Sequence, residues 1–212
     1  PILWVVLSSF KTKLELLAVP PKFIFVPTLQ NYVNAFNSDF PMQVRNSLII
    51  AISSSVVSII LGSLTAYGFS RFKFKGENDW LFFILSTRML PPVVVTIPLF
   101  LMYRFLGLND TRFGLILLYT CFNLSFATWV MKGFIDEIPR EYEEAALVDG
   151  YTRFETFWKI VLPQSATGIA ATSVFSFIIA WDEYALALMM TNRNAQTAPP
   201  FIPSQLGSGM ID

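Results

Sequence analysis

The sequence has 212 residues, of which 54% are hydrophobic and only 14% charged, against about 25% charged in a soluble domain. Its formal net charge is zero, so it carries no basic footprint for nucleic acid. There is no histidine and one cysteine, Cys121, which excludes an intrachain disulfide and Cys/His zinc sites and removes most imidazole acid–base chemistry.

The charge deficit is concentrated in apolar runs long enough to cross a bilayer, for which roughly 20 residues are needed. Pro1 to Ser9 is apolar but too short, and reads as the exit half of a helix that begins upstream. The start lacks a Met and any signal-peptide pattern, so the chain is expected to be a fragment. Lys11 to Pro41 is mixed, with Pro20, Pro21, Pro27 and Pro41. It reads as extracytoplasmic, with a short helix around Leu29 to Phe36.

Val44 to Phe69 is the first complete predicted span. Ser54, Ser58, Gly62 and Ala66 fall at every fourth position, which puts small side chains on one face and lets another helix approach closely. The alternative is a chance ladder in a Ser- and Ala-rich helix. Arg71, Lys73 and Lys75 follow at once, and Gly76 breaks the chain. Trp80 to Leu106 is the second predicted span, interrupted at Pro91 and Pro92 with Pro98 further on. Proline removes a backbone donor and frees carbonyls on the preceding turn. Such breaks at membrane depth are tolerated where they are buried or line a cavity; a plain packing kink explains the same prolines. Phe113 to Phe134 is the third predicted span and Ser165 to Met190 the fourth. The tail, Thr191 to Asp212, is polar and loop-like, with Pro199, Pro200 and Pro203.

Two spans separate the Arg71–Lys75 cluster from the polar stretch Lys132 to Pro163, so the two lie on the same side. Lys and Arg are nearly balanced between the sides. The tight cluster at Arg71, Lys73 and Lys75, hard against a span end, favours the cytoplasm for both.

That polar stretch has a definite local design. Pro139 suits the first turn of a helix, where its missing N–H is not needed. Glu141, Glu143 and Glu144 complement the helix dipole in the first turns, and Ala145 and Ala146 are strong helix formers. Gly150 supplies a left-handed stop. Thr152-Arg153-Phe154-Glu155 is a capping box that starts a second helix, whose Phe154, Phe157, Trp158 and Val161 repeat at helical spacing to make one apolar face. Pro163 ends it. The expected product is two short helices joined by a tight turn, with an apolar surface and several acids. The bland alternative is an interfacial amphipathic helix pair without a partner.

The spacing Glu144-Ala145-Ala146, Gly150, then Ile160, Leu162 and Pro163 resembles the signature cytoplasmic loop of permease subunits in bacterial ABC importers. From about Asn46 to Thr191 the chain resembles their transmembrane domain. Within the family it most resembles the sugar permeases of the maltose and glycerol-phosphate type, on the residues Ala66-Tyr67-Gly68-Phe69-Ser70-Arg71-Phe72, Thr87-Arg88-Met89-Leu90-Pro91-Pro92, and Phe175 through Trp181-Asp182-Glu183-Tyr184. In that family Trp181 is commonly followed by Asn, so Asp182 is a departure.

The resemblance implies an all-α, polytopic transmembrane bundle of the type I ABC importer permease fold, truncated at both ends. Residues 1–43 would hold the end of the first transmembrane helix and an extracytoplasmic segment. Residues 44–191 would form the core, with an ATPase-docking loop at 136–164, and 192–212 an extracytoplasmic loop before a further helix. It also implies a multi-pass protein of the bacterial inner membrane, working with a second permease subunit, two ATPase subunits, an external solute-binding protein and membrane lipid. The chain has no G-x-x-x-x-G-K-[ST] phosphate loop, so no cofactor is expected on it and ATP belongs to the partner ATPase. The docking residues it implies are Glu143, Glu144, Ala145, Ala146, Asp149, Gly150, Ile160, Leu162 and Pro163.

Ionisable groups within spans are costly and usually face the bundle interior or a water-filled path. Arg88 near Pro91, Asn123 and Asp182 are therefore candidates to line a translocation route and hydrogen-bond sugar hydroxyls; a structural ion pair or snorkelling to the interface is the alternative. For Asp182 and Glu183 the aromatic belt suggested by Trp181 and Tyr184 favours the interface. The loop does not distinguish sugar from amino-acid, peptide or anion cargo, although an anion carrier should place more cations in its spans than Arg88. An ATP-independent secondary transporter would show paired ionisable residues or an inverted repeat, and no clear repeat is visible. A membrane-embedded enzyme would need a metal-ligand cluster or a G-x-S-x-G elbow, and neither is present.

Overall fold

A computed structural model describes residues 1–89 and 91–208, and among these there is no strand. Leu90, in the Thr87–Pro92 stretch, and the last four positions of the tail lie outside the described residues. The chain divides into two compact units, residues 1–45 and 46–212.

The first unit holds α1 (Ile2–Ser9), α2 (Lys13–Leu16) and α3 (Gln30–Asn37). The last is the short helix expected around Leu29 to Phe36. Lys11 is its organising side chain: Nζ donates to the Lys22 carbonyl at 2.7 Å and lies over the rings of Trp4 and Phe25. Asn31 ties α3 back by donating to the carbonyls of Ser9 and Lys11.

α4 (Phe40–Arg71) starts in the first unit and runs into the second, which continues with α5 (Glu77–Ser86), α6 (Pro92–Phe105) and α7 (Arg112–Asp136). Then come α8 (Glu141–Val148), α9 (Arg153–Thr156), a π turn at Phe157–Val161, α10 (Leu162–Gln164), α11 (Ala166–Trp181), α12 (Ala185–Met190) and α13 (Ala198–Ser208). Among the described residues α4 and α7 are each long and apolar enough to cross a membrane. Two more spans result if the bent pairs, residues 77–105 and 153–181, each count as one.

Two expectations need correction. The fourth predicted span does not continue to Met190: α11 stops at Trp181, and α12 starts afresh at Ala185. The cause is the acid pair. Asp182 is the C-cap of α11, and Glu183 turns its carboxylate to accept from the Leu186 N–H at 2.7 Å, capping the next helix. The tail is not loop-like throughout, because residues 198–208 form α13. Pro199 and Pro200 fall in its first turn, where backbone N–H groups have no intrahelical acceptor and proline loses nothing.

α7 is the centre of the second unit. In lipid, helices gain little by hiding apolar faces from equally apolar tails, so close packing and hydrogen bonds hold them together. α4 and α11 each meet α7 at a glycine. A Cβ added at Gly62 would lie 2.7 Å from Ala127 Cβ, and one at Gly168 would lie 2.5 Å from the Phe134 ring. The Ser54/Ser58/Gly62/Ala66 ladder is buried, and Ser58 donates to the Thr120 carbonyl at 3.2 Å. The ladder is thus a packing face against α7. One apolar cluster joins Ile50, Tyr103, Leu115, Tyr119 and Leu186; a second joins Tyr67, Met131, Ile135, Phe157 and Val161.

The end of the unit near Asn46 is tied by polar contacts. The fully buried Asn46 amide donates to the carbonyls of Asn194 and Gln196 and accepts from Arg112 Nε at 2.8 Å. Ser47 accepts from the Ala198 N–H at 2.9 Å. Asp110, at φ 55, cradles the chain at 192–195: its carboxylate accepts from four successive backbone N–H groups. Burial raises the Asp110 carboxyl, but those N–H groups outweigh it and hold it below the usual carboxylate value.

Two predictions follow from this packing. Gly62→Ala forces a shift at Ala127 and destabilises the detergent-solubilised protein by about 1–3 kcal/mol, read as a lower unfolding temperature. Gly133→Ala, on an open face of α7, is neutral or stabilising by up to about 1 kcal/mol. For Asp110, a depressed folded pKa means that its contribution is complete above the unfolded value of about 3.9 and is lost as pH falls through the folded value. Amide-exchange protection at 192–195, corrected for intrinsic rates, stays level from neutrality to mild acid and falls below pH of about 4. Asp110→Ala shows the unprotected rate throughout.

Candidate functional site

The segment between α7 and α11 is built from short-range rules. The chain leaves α7 at Glu137, buries Ile138, and enters α8 with Arg140 as N-cap. Pro139 lies just outside the helix rather than in its first turn. At the far end, the Gly150 N–H donates to the Leu147 carbonyl at 3.1 Å and the Tyr151 N–H to the Ala146 carbonyl at 3.0 Å. That nested pair is a Schellman stop, which requires a left-handed residue, and Gly150 sits at φ +89. Thr152 and Glu155 form the expected capping box: the Glu155 N–H donates to Thr152 Oγ1, and the Thr152 N–H to Glu155 Oε2 at 2.9 Å.

The second helix departs from the regular pattern. Residues 157–161 form a π turn, and the run ends at Gln164, one residue beyond Pro163, where the path bends by 76° into α11. The expected single apolar face splits into two i, i+4 pairs: Phe157 and Val161 enter the core, whereas Phe154 (63% exposed) and Trp158 remain outside, edge to face with each other at 6.0 Å. Leu162 packs against the same core, Ile160 is half-buried and Pro163 is exposed.

α8 presents two faces. At i, i+3, i+4 and i+7, Glu141, Glu144, Ala145 and Val148 are all exposed, Val148 at 88%. Tyr142, Asp149 and Tyr151 are exposed beside them. Ala146 and Glu143 point the other way and are buried. Glu143 is thus not a surface acid. It forms a salt bridge with Arg71, with both side chains 5% exposed, and accepts from Tyr67 OH at 2.9 Å. Arg71 also donates to the Ile135 and Ile138 carbonyls, at 3.0 and 2.9 Å, and to Ser70 Oγ. Ser70 in turn donates to Asp136 at 2.5 Å, and Arg140 donates to the Ser70 carbonyl at 3.0 Å. Sequence reasoning placed Arg71 in a tight cationic cluster with Lys73 and Lys75, hard against a span end. The structure turns it inward, to cap the last carbonyls of α7.

The four candidate path residues are not brought together. Arg88 lines a cavity of about 700 Å³ between α4, α5, α6 and α7, and its guanidinium lies 5.1 Å from the Phe126 ring. Thr87 and Ser125 add hydroxyls there, 3.0 Å apart, but Phe83, Leu99, Met102 and Phe122 make the lining mostly apolar. Such a wall offers few groups to a polyhydroxylated solute. Asn123 is buried against α11 and donates to the Ser176 carbonyl. Pro91 precedes α6 as its N-cap, and Asp182 is exposed at the end of α11. Trp181 stacks on Phe177. Among the described residues no three His, Cys, Asp or Glu side chains gather as a metal site requires.

Comparison with known proteins adds a family. Residues 58–208 match the model for "Binding-protein-dependent transport system inner membrane component". The chain is 36% identical over 203 residues to the sulfoquinovosyl glycerol transport system permease protein SmoH of Agrobacterium fabrum, covering 94% of this chain and 71% of that protein. It is 34% identical over 217 residues to the trehalose transport system permease protein SugB of Mycobacterium tuberculosis, covering 100% and 78%. It is 32% identical over 191 residues to the diacetylchitobiose uptake system permease protein NgcG of Streptomyces coelicolor, covering 90% and 63%. In fold it resembles a chain from the crystal structure of a bacterial ABC transporter involved in the import of alginate, with a TM-score of 0.80 at 22% identity, covering 100% of this chain and 75% of that one.

Removing the cap between the two loop helices isolates its local contribution. Thr152→Ala removes the acceptor for the Glu155 N–H and costs about 1 kcal/mol of local stability. The expected outcome is faster proteolysis and amide exchange over 150–156 with no change in exchange within α7.

Proposed function

The chain belongs to the family of binding-protein-dependent transport system inner membrane components, and from that premise we propose that it forms half of the pathway by which an ATP-driven importer admits a sugar or sugar-like solute. It is a multi-pass permease subunit of the inner membrane. ATP would be bound by a separate ATPase, since this chain has no phosphate loop of its own.

The observation that carries the reading is the outward stripe of α8. Glu144, Ala145 and Val148 project from a helix closed by the Gly150 stop, with Tyr142 and Asp149 exposed beside them and Phe154 exposed on the next helix. An exposed apolar and aromatic patch rimmed by acids marks a protein interface. A groove on an ATPase subunit that offers apolar walls and a cation for Glu144 would complement it. Ile160, Leu162 and Pro163 would act behind this face, setting how the second loop helix leaves for α11. The docking face would then lie in the cytoplasm. The Asn46, Asp110 and 192–198 end would face outward, toward a solute-binding protein. Two ATPase subunits and a second, related permease complete the assembly.

Sugar cargo is supported by the named substrates of the relatives: a sulfoquinovosyl glycerol, trehalose and diacetylchitobiose. The apolar lining around Arg88 supports placing the solute route at the joint between two permease subunits. Arg88, Pro91, Asn123 and Asp182 are then candidates for testing one by one. The same architecture importing amino acids, peptides or another solute is the second reading, and a secondary transporter without an ATPase is the third.

Co-expression with neighbouring permease and ATPase subunits tests the docking reading. Gly150→Pro replaces a left-handed residue by one fixed near φ of about −65° and removes the N–H that Leu147 accepts. Glu144→Lys reverses a charge on the exposed stripe without touching the core. Both should lower recovery of the ATPase by more than about tenfold, the scale of a lost interface anchor. Wild-type transport in both variants would exclude the loop as the docking element. Stimulation of ATP hydrolysis by a sugar-loaded binding protein, and not by an amino-acid-loaded one, is the result expected for the cargo.

A further inference from the structure

We propose that Arg71 is a positioning residue that clamps α4, α7 and α8 into one rigid lever, so that displacement of the docking helix reaches the transmembrane core without loss. The proposal rests on the docking reading above. A helix that only carried a docking surface could be tethered by its chain ends. This one is held by a side chain whose bonds converge from three elements. Arg71 ends α4; its Nε meets Glu143 of α8, and one terminal nitrogen meets the carbonyls of both Ile135, in α7, and Ile138, just beyond it. The other terminal nitrogen donates to Ser70, which passes the connection to Asp136 at the end of α7.

Two more contacts close the bracket. Tyr67, one helical turn before Arg71, donates to the second oxygen of Glu143. Arg140, the N-cap of α8, donates to the carbonyl of Ser70. Both Glu143 oxygens are therefore engaged from α4, and their directions differ, which fixes α8 in rotation as well as in distance. Phe157, behind the loop, packs its ring on Tyr67 with centroids 5.0 Å apart, so the second loop helix rests on the same corner.

Chemistry selects arginine here. A planar guanidinium can meet a carboxylate and two carbonyls at once, whereas an ammonium acts as a point charge. A buried pair of this kind contributes less to stability than to geometry: replacing both partners by apolar side chains is often neutral, whereas removing one strands a buried charge. That asymmetry supplies the test.

The complete transporter, with its ATPases, partner permease and sugar-loaded binding protein, is reconstituted in vesicles. Arg71→Met/Glu143→Leu should assemble, yet transport per ATP hydrolysed should fall about tenfold, within the range of a typical coupling energy. Arg71→Lys alone should retain an intermediate value, because it keeps the charge and loses the carbonyl fork. Wild-type coupling in the double variant would overturn the proposal, since the pair would then matter only for stability.

A second measurement leaves Arg71 and Glu143 in place. In a Cys121→Ala background, spin labels at Lys73, two residues beyond the end of α4, and at Glu141 of α8 report the separation of the two ends with and without trapped nucleotide. A constant distance is expected, and this readout does not depend on whether the double variant assembles. A shift beyond about 5 Å, one helical turn, would overturn the clamp. Failure of the unlabelled wild-type chain to retain any ATPase is a different result: it removes the docking reading, and this proposal with it.

Discussion

A buried guanidinium with all three of its nitrogens hydrogen-bonded cannot leave its place without stranding several acceptors together, and the second unit of this protein is arranged around one. The Arg71–Glu143 pair is shielded from water, so the attraction between its charges is weakly screened and the cost of exposing either alone is high. Removing one partner of such a pair costs about 3–5 kcal/mol, far more than the pair contributes against an apolar replacement. Its effect is therefore on which geometry the chain accepts. The ends of α4 and α7 and the start of α8 must meet with one set of angles, because only that set satisfies Glu143, Tyr67, Ile135, Ile138 and Ser70 together.

The opposite end of α4 repeats the logic with neutral groups. Asn46 satisfies two tail carbonyls and one arginine from α7, and Ser47 accepts the first N–H of α13. α4 and α7 are thus bonded near both ends and packed through Gly62 between them. Shear of one along the other would break contacts at both ends at once. A long helix pair held this way resists sliding of one helix along the other. The free stripe of α8 is left with no internal task, and its Glu144 and Val148 remain outside.

Much of this was legible in the sequence wherever the cause was local. The left-handed stop at Gly150, the Thr152 capping box, the small-residue ladder on α4 and the apolar runs all depend on residues a few positions apart. What was missed depends on contacts between distant positions or on helical phase. Three acids within four positions all read as complements of the helix dipole, yet successive helical residues turn by about 100°, so Glu143 shares a face with Ala146 and not with Glu144. Its partner is 72 positions away, and no local rule finds it; Arg71 looked like part of a cationic flank because Lys73 and Lys75 follow it. The π turn at 157–161 was equally invisible, and apolar periodicity alone did not say that Phe157 and Val161 enter the core while Phe154 and Trp158 stay outside. Of the candidate path residues, composition could say only that polar groups sit within apolar runs. Whether they face a cavity, as Arg88 does, or a neighbouring helix, as Asn123 does, is a property of packing.

The distribution of directional bonds also separates what this bundle holds fixed from what it holds by shape. At its two ends, polar side chains of α4 and α7 meet carbonyls, carboxylates and N–H groups of other elements. Between α7 and α11 the pattern changes. Asn123 donates to Ser176, but its own carbonyl oxygen and the hydroxyl of Ser176 have no hydrogen-bond partner among the described residues. Gly168 lets α11 close on Phe134 by contact alone. An interface of small side chains with few directional bonds changes register at less cost than one that must strand a buried charge. Alternating between two packings needs such contrast: a part that keeps its shape and a seam that can be remade. In this chain the directional bonds gather at Arg71 and Asn46, whereas the contact that α7 shares with α11 rests mainly on small side chains and shape.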